Sequence, residues 1–142
     1  MAFTINRIRS AQLALDVWPI RAKARIAKAL EKTPTLLSPL DIETGIRWGR
    51  YSLWEISDEA GDDVASFVTE IVSGGRGSAV NVLVLGGEGM PRWIGELIDA
   101  LMEYMTTQGC SMVIETGRGG WSKVLRRHGW VDGPTTMMMK VA

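Results

Sequence analysis

The sequence has a single cysteine, a single histidine and no apolar run long enough to cross a membrane. Cys110 alone cannot form an internal disulfide or a cysteine-rich metal cluster, and its place at the start of a predicted strand is typical of a small buried side chain. No run of about 18 apolar residues occurs, and residues 1–10 lack the apolar segment of a signal peptide. We therefore expect no membrane span, no metal site and a cytoplasmic location.

Neither sign of charge dominates, because 16 lysine and arginine residues balance 16 aspartate and glutamate residues. This balance removes the global attraction to nucleic acid that a basic domain has. One local pattern stands out, since Arg21, Arg25, Lys28 and Lys32 recur at helical spacing and share one stripe of a predicted helix, opposite Ile26. A solvated helix face explains most such stripes, and contact with a phosphate-bearing or acidic partner is the alternative.

Apolar residues make up 46% of the sequence, which is enough for the core of one domain spanning residues 1–142. The 6 tryptophans and 8 methionines are many for this length. They indicate either a tryptophan-rich core or an exposed surface for a protein partner or for self-association.

Residues 79–108 are predicted to form a buried strand, a glycine-rich turn and a long amphipathic helix, and the other elements are predicted to pack around this unit. The apolar run of residues 80–85 is typical of a central strand covered on both faces. Gly86, Gly87 and Gly89 follow it and lead into the helix. Such a turn can hold an anion, because free N–H groups and the positive end of the helix dipole point the same way, although a tight chain reversal alone also produces it.

The remaining patterns predict strands, helices and turns on both sides of this unit. In order they are a strand at residues 2–8, a helix capped by Ser10, a second helix from Pro19 to about Lys32, strands at 50–56 and 64–72, a hairpin connection at 73–78, a strand at 111–116, a helix at 121–128 and a hairpin at 130–141. Residues 33–44 are predicted to be a connector with at most one helical turn, and residues 57–63 a solvated acidic turn. The helix between strands 80–85 and 111–116 makes these two strands parallel.

This order of elements resembles the GNAT superfamily of acyl-CoA-dependent N-acetyltransferases. The likeness is most specific in residues 80–105 and in the closing helix followed by Gly129 and Trp130. It implies an α/β fold with a mixed central sheet of about six to seven strands flanked by about four helices. It also implies acetyl transfer from acetyl-CoA to an amine whose identity stays open.

The resemblance also implies site residues by their position in this sequence. The amides of Arg92, Trp93, Ile94 and Gly95 correspond to the family's pyrophosphate loop, and those of Val84, Leu85 and Gly86 to the group that polarises the thioester. The glycine-rich residues 86–89 are an alternative anion loop. Leu97 stands where the family has a small residue, and Leu125 stands where it has a tyrosine that acts as general acid.

The two leucines favour a second interpretation, in which the fold is retained and the chemistry is lost. In that interpretation the chain is similar to small GNAT-like proteins of tailed bacteriophages and acts as a virion, assembly or interaction component. Location in the host cytoplasm or the virion would follow.

Acetyl transfer to an amine requires a base, and three carboxylates lie near the predicted core strands: Glu70, Glu88 and Glu115. Glu70 is the first choice, because it lies within an apolar strand where loss of solvent raises the pKa of a carboxyl group. A solvated carboxylate on a half-exposed strand face is the alternative.

Overall fold

The computed structural model describes residues 2–8, 20–116, 119–133 and 137–141. Its strands are β1 (Thr4–Ile8), β2 (Tyr51–Ser57), β3 (Asp63–Gly74), β4 (Gly77–Gly87), β5 (Met112–Thr116), β6 (Val131–Asp132) and β7 (Met137–Val141). Its helices are α1 (Ile20–Leu30), α2 (Pro39–Arg47), α3 (Met90–Thr107) and α4 (Gly119–Arg127). The predicted mixed sheet of six to seven strands with four helices is confirmed in this part of the chain.

All strands belong to one sheet with the order β1-β2-β3-β4-β5-β7-β6, so β4 is its middle strand as predicted. Strands β1 to β4 are antiparallel neighbours, and β2, β3 and β4 form the predicted meander. β4 and β5 are parallel, because α3 carries the chain back across the sheet between them. The carboxyl end of β4 therefore leads directly into the glycine-rich turn and α3.

The sheet has an apolar core on each face. On one face, Phe67 and Val80 pack with Trp93 and Leu97 of α3 and with Leu125 of α4. On the other face, strand residues pack with α1 and α2, among them Leu53, Val68, Val84, Ile26 and Ile42. Cover on both faces explains why β4 is almost continuously apolar in sequence.

The tryptophans are divided between core and surface. Trp54, Trp93 and Trp130 are buried, whereas Trp48 at the end of α2 is 84% exposed. Of the two interpretations of the tryptophan content, the core therefore accounts for most of the described tryptophans, and Trp48 is available for contact.

The connector after α1 is more ordered than predicted. α2 extends from Pro39 to Arg47, beyond the single turn expected within residues 38–44. A capping box explains its start, since Ser38 accepts a hydrogen bond from the Asp41 amide and the Asp41 carboxylate accepts one from the Ser38 amide. α1 ends at Leu30, slightly before the predicted Lys32.

Ser10, Pro19 and the first predicted helix fall in residues 9–19, which lie outside the described residues. Within the ranges given above, no helix has both the length and the apolar composition that a membrane crossing requires.

Candidate functional site

The carboxyl-terminal half of β4 has different neighbours on its two edges. Its ladder with β3 continues to the pair of Gly87 with Ala65. Its parallel ladder with β5 ends, within the described residues, at the pair of Val82 with Glu115. A register shift opposite Val68 and Thr69 of β3 leaves Leu83 as an extra residue just beyond that last pair. In the described part of the chain, β4 and β5 are thus adjacent and parallel, and they are paired only over the first part of β4.

Among the described residues, two small spaces of about 10 Å³ each lie where these two strands separate, and each has barely room for one water molecule. Both spaces are lined by Leu85, Glu115 and Trp121. Trp121, half-buried at the start of α4, therefore lies beside the place where an extended ligand would pass between β4 and β5.

A much larger cavity, of about 430 Å³, lies on the β3 side of the same β4 end. Its volume is within the range of small-molecule binding pockets. Four cationic and two acidic side chains line it together with the glycine turn: Arg25, Lys28, Lys32, Arg92, Asp63 and Glu88, with Ala29, Val64, Gly86 and Gly87 between them. The excess of cationic side chains favours an anionic ligand.

α1 approaches the sheet closely because the strand residue beneath it is a glycine. A Cβ atom on Gly86 would lie 2.6 Å from the Arg25 carbonyl oxygen and 3.1 Å from the Ala29 Cβ. This close approach places Arg25, Lys28 and Lys32 along the cavity. Three members of the predicted cationic stripe thus meet at one site, whereas Arg21 is exposed and lies outside it.

The turn after β4 is held by backbone and side-chain hydrogen bonds. The Glu88 amide donates to the Val64 carbonyl at 3.2 Å, and the Trp93 indole N–H donates to the Glu88 carbonyl at 2.7 Å. Gly87 and Gly89 have backbone φ values of +149° and +74°, and residues other than glycine rarely adopt such values. The turn is therefore a fixed wall of the cavity.

The residues predicted to hold CoA lie in two different environments. Gly86 and Arg92 line the cavity, and the Arg92 guanidinium lies over the Phe3 ring at 5.7 Å from its centroid. The other five contribute no side chain to it: Val84, Leu85, Trp93 and Ile94 are buried in the two cores, and Gly95 lies half-exposed along α3.

Leu97 and Leu125, the two departures from the family pattern, are both core residues, 3% exposed each. The Leu97 side chain points into the core and not toward a ligand at the start of α3. It therefore does not by itself block that end of the helix. Leu125 supplies no proton donor.

The three carboxylates considered as bases are dispersed. Glu70 accepts a hydrogen bond from Arg50 at 2.7 Å and pairs across the sheet with Asn81, several residues along β4 from Gly86. Glu88 lines the large cavity, and Glu115 lines the small spaces next to Trp121. The structure thus places Glu70 away from the cavity, and its catalytic role stays a prediction.

A cluster of polar side chains lies between α1 and the sheet, and the sequence did not predict it. Glu55 pairs with Ser66, and Ser66 pairs with Gly86, so these residues form a row across three strands. Above that row, Arg25 donates to the Ser66 hydroxyl at 3.3 Å and to the Asp63 carbonyl at 2.7 Å. Asp63, predicted to be part of a solvated turn, instead begins β3 and lines the cavity, because β2 and β3 extend to Ser57 and Asp63.

Glu55 is buried, with 9% of its surface exposed, and the pKa of its carboxyl group is raised. Burial, followed by the adjacent Asp63 carboxylate, raises the pKa of Glu55 to about 7, and Arg25 opposes this rise. The signal in the sequence was a glutamate between Trp54 and Ile56 in an otherwise apolar segment.

No protein-family model matches the sequence, and no curated protein matches it in a sequence search. Solved structures do match. One is an aminoglycoside acetyltransferase from an uncultured soil metagenomic sample, with a TM-score of 0.68, 13% identity and coverage of 95% of each chain. Another is a predicted acetyltransferase with acetyl-CoA from Clostridium acetobutylicum, with a TM-score of 0.63, 8% identity and coverage of 94% of this chain and 93% of that one.

A third match is the GCN5-related glucosamine N-acetyltransferase region of a fungal multi-domain GH3 β-N-acetylglucosaminidase, with a TM-score of 0.66 and 17% identity. It covers 94% of this chain but only 17% of that protein. At these identities the likeness concerns the fold alone, and this chain has the GNAT fold.

Proposed function

We propose that the protein binds acetyl-CoA and transfers its acetyl group to an amine. The observation that carries this proposal is the end of β4, where pairing with β5 stops, a rigid glycine turn follows, and a cationic cavity opens beside it. Acetyl-CoA binding is plausible in this fold, since one matched structure contains acetyl-CoA and another, the NatC complex, contains CoA.

The residues present suit the phosphates of CoA. Lys28, Lys32 and Arg92 supply positive charge at the cavity, and Arg25 adds a further guanidinium on its inner side. The absence of side chains at residues 86 and 87 lets α1 and β3 pack closely against the turn, which brings the cationic side chains of α1 to the cavity wall. We assign the phosphates to this cavity, and the backbone at Val84, Leu85 and Gly86 to the thioester, as the resemblance implies.

The acyl arm has one obstacle. To pass between β4 and β5 it must displace Trp121, which lines both small spaces in the gap. Binding of CoA is therefore expected to include a change in the environment of Trp121.

Acetyl-CoA is expected to stabilise the folded protein. A ligand that binds the native state alone adds about 2.7 kcal/mol at one hundred times its Kd, which corresponds to a rise in Tm of about 5 to 10 °C for a chain of this size. Differential scanning fluorimetry with acetyl-CoA measures this shift, and pantetheine, which lacks the phosphates, is the matched control. Absence of any shift at millimolar acetyl-CoA would remove the proposal, and release of free CoA thiol in the presence of simple amines and polyamines would identify the acceptor class.

Replacement of Gly95 by alanine tests the alternative phosphate position. Its added Cβ meets no atom within 4 Å, so the helix should gain about 0.5 to 1 kcal/mol of stability from the better helix former, measured by urea unfolding. A tenfold weaker affinity for CoA in this variant, measured by calorimetry, would place the pyrophosphate at residues 92–97 and not in the cavity.

A second candidate function is that of a non-catalytic interaction protein with this fold. Exposed apolar side chains favour it, since Trp48 is 84% exposed and Leu36 and Leu40 are 102% and 68% exposed. It predicts no response to acetyl-CoA and self-association or partner binding that Trp48→Ala weakens. The similarity to bacteriophage proteins and a virion or cytoplasmic location stay predictions, since the matched structures bear on the fold alone.

A further inference from the structure

The helices on the α1 side of the sheet leave three strands uncovered. α1 lies over β3 and β4, and α2 lies over β2. Paired residues of neighbouring strands share a face, and the row of pairs that begins at Tyr51 in the α1 core continues across the sheet to Ile114 and Met139. The side chains that the structure describes on this face of β5, β6 and β7 are all apolar. We call them the methionine face: Met112, Ile114, Met137, Met139, Val131 and Val141.

The methionine face belongs to neither apolar core. Its residues are absent from both clusters, whereas Val113 and Met138, which alternate with them, are buried on the opposite face. Val131 and Val141 are each 58% exposed, and the other four residues are half-buried. A contiguous apolar surface of this kind is typical of a binding surface, and methionine side chains adapt to ligands of different shape.

Charged side chains are turned away from the methionine face. Those of the same three strands alternate to the opposite side of the sheet: Glu115, Asp132 and Lys140. The carboxylate in the row of Ile114 and Met139 is Glu70 on β3, and Arg50 already pairs with it at 2.7 Å. A cation placed on this face would lose water without gaining a counter-ion. The face therefore suits an apolar ligand and disfavours a polycation.

The methionine face leads to the point where β4 and β5 separate. Ile114 directly precedes Glu115, a member of the last described ladder pair, and Leu83 follows the other member, Val82. Leu83, Val84 and Glu115 line the small space at this point. That space shares no lining residue with the cationic cavity assigned to the phosphates. A ligand on the methionine face would therefore place one end beside Val84 and stay clear of that cavity.

We propose that the methionine face binds the apolar body of the acceptor, which is an alkyl or aryl amine with its nitrogen beside Val84. The inference rests on the proposed acetyl transfer and deepens it by naming the acceptor class. Along β7 the face spans about 13 Å, which is long enough for a chain of eight carbons. The ammonium form of the amine loses two protons, one to the sulfur and one to solvent, as the nitrogen–carbon bond forms and the carbon–sulfur bond breaks.

The first experiment measures binding and needs no turnover. In protein labelled with 13C at the methionine methyl groups, octylamine at millimolar concentration is expected to shift the signals of Met112, Met137 and Met139, each assigned by its Met→Leu variant. The signal of Met138, on the same strand but on the opposite face, should stay in place. Unmoved signals of the methionine face would overturn the inference. Signals that depend on protein concentration before octylamine is added would overturn it too, because a second copy of the chain would then cover the face.

The second experiment compares acceptors in the acetyl-transfer assay. From butylamine to octylamine, kcat/KM is expected to rise about two- to fourfold for each added methylene group. The matched control is 1,8-diaminooctane, which has the same length and a second cation at its far end. It should react about tenfold less efficiently than octylamine, because that cation would lie on an apolar surface. A wild type that prefers the diamine would overturn the inference.

Replacement of Met139 by glutamate tests the face directly, because it places a carboxylate in the middle of it. Met139→Glu is expected to lower kcat/KM for octylamine about tenfold and to raise it for 1,8-diaminooctane, so that the preference reverses. The matched control is Ile71→Glu, at a 38% exposed position that pairs with Val80 on the other face of the sheet, and it should keep the wild-type preference.

An unchanged preference in Met139→Glu would overturn the inference. A wild type without turnover for any amine would remove the proposed acetyl transfer instead, and the methyl titration would then decide whether the methionine face binds an apolar amine.

Discussion

Alanine at position 87 is expected to destabilise the native state by about 2 to 5 kcal/mol. The new Cβ would lie 2.4 Å from the Ala65 Cβ, 2.6 Å from the Ala65 Cα and 2.6 Å from the Val64 carbonyl oxygen. Two of these atoms are backbone atoms of β3, so no side chain can rotate away. The φ of +149° adds strain, because an L residue rarely adopts it. Both effects act on the ladder that holds the end of β4.

Urea unfolding of Gly87→Ala measures this loss, with Gly75→Ala as the control. Gly75 lies in the hairpin between β3 and β4, where an added Cβ meets no atom within 4 Å, and its variant should stay within about 0.5 kcal/mol of the wild type. Equal stability of the two variants would contradict the close contact between Gly87 and β3. Because Gly87 also lines the cavity, the residual folded Gly87→Ala should bind CoA more weakly.

The central unit of the fold could be predicted from the sequence because its signals are local. The apolar run in β4 and the helical periodicity of α3 each span enough residues to exclude other interpretations, and parallel pairing with β5 follows from the helix between them. The predicted extent of α2 was too short, because Ser38 and Asp41 form a capping box that starts a helix of about two and a half turns instead of a single turn.

The site was less predictable because it depends on contacts between distant segments. Asp63 belongs to a segment whose composition is that of a solvated turn, and only the extension of β3 and the packing of α1 bring it to the cavity. Glu55 is buried for a similar reason, since its cross-strand neighbours, Ser66 on β3 and Asn6 on β1, come from other segments of the chain. Glu70 shows the converse: its apolar neighbourhood in sequence favoured a carboxyl group away from other charges, yet it forms an ion pair with Arg50 at 2.7 Å.

The cationic stripe on α1 could be recognised in sequence, but not the surface that it faces. The stripe divides in the structure, with Lys28 and Lys32 at the cavity and Arg21 exposed elsewhere on the helix. Periodicity places side chains on one helix face, and tertiary packing alone decides which part of that face meets the glycine turn. That division provides the most direct test of where the phosphates bind.

The double variant Lys28→Glu/Lys32→Glu is expected to lose CoA affinity by at least about 100-fold, which is about 2.7 kcal/mol. CoA carries a pyrophosphate and a further phosphate, and the substitutions replace two attractive charges at the cavity with two repulsive ones, next to the existing Asp63 and Glu88. Calorimetry at two ionic strengths measures the affinity, and the wild type should show the steeper decrease with salt.

The matched control is Arg21→Glu/Lys23→Glu, which changes the net charge by the same amount on the same helix. Both residues are exposed and lie outside the cavity lining. This control should lose less than about tenfold in affinity, because salt screens exposed charges that do not line the cavity more strongly than charges that contact the ligand. Equal losses in the two double variants would mean that overall charge attracts CoA, and unchanged affinity in Lys28→Glu/Lys32→Glu would move the phosphates out of this cavity. A large loss of CoA affinity in Lys28→Glu/Lys32→Glu alone would show that α1, the glycine turn and the end of β4 form one anion-binding site.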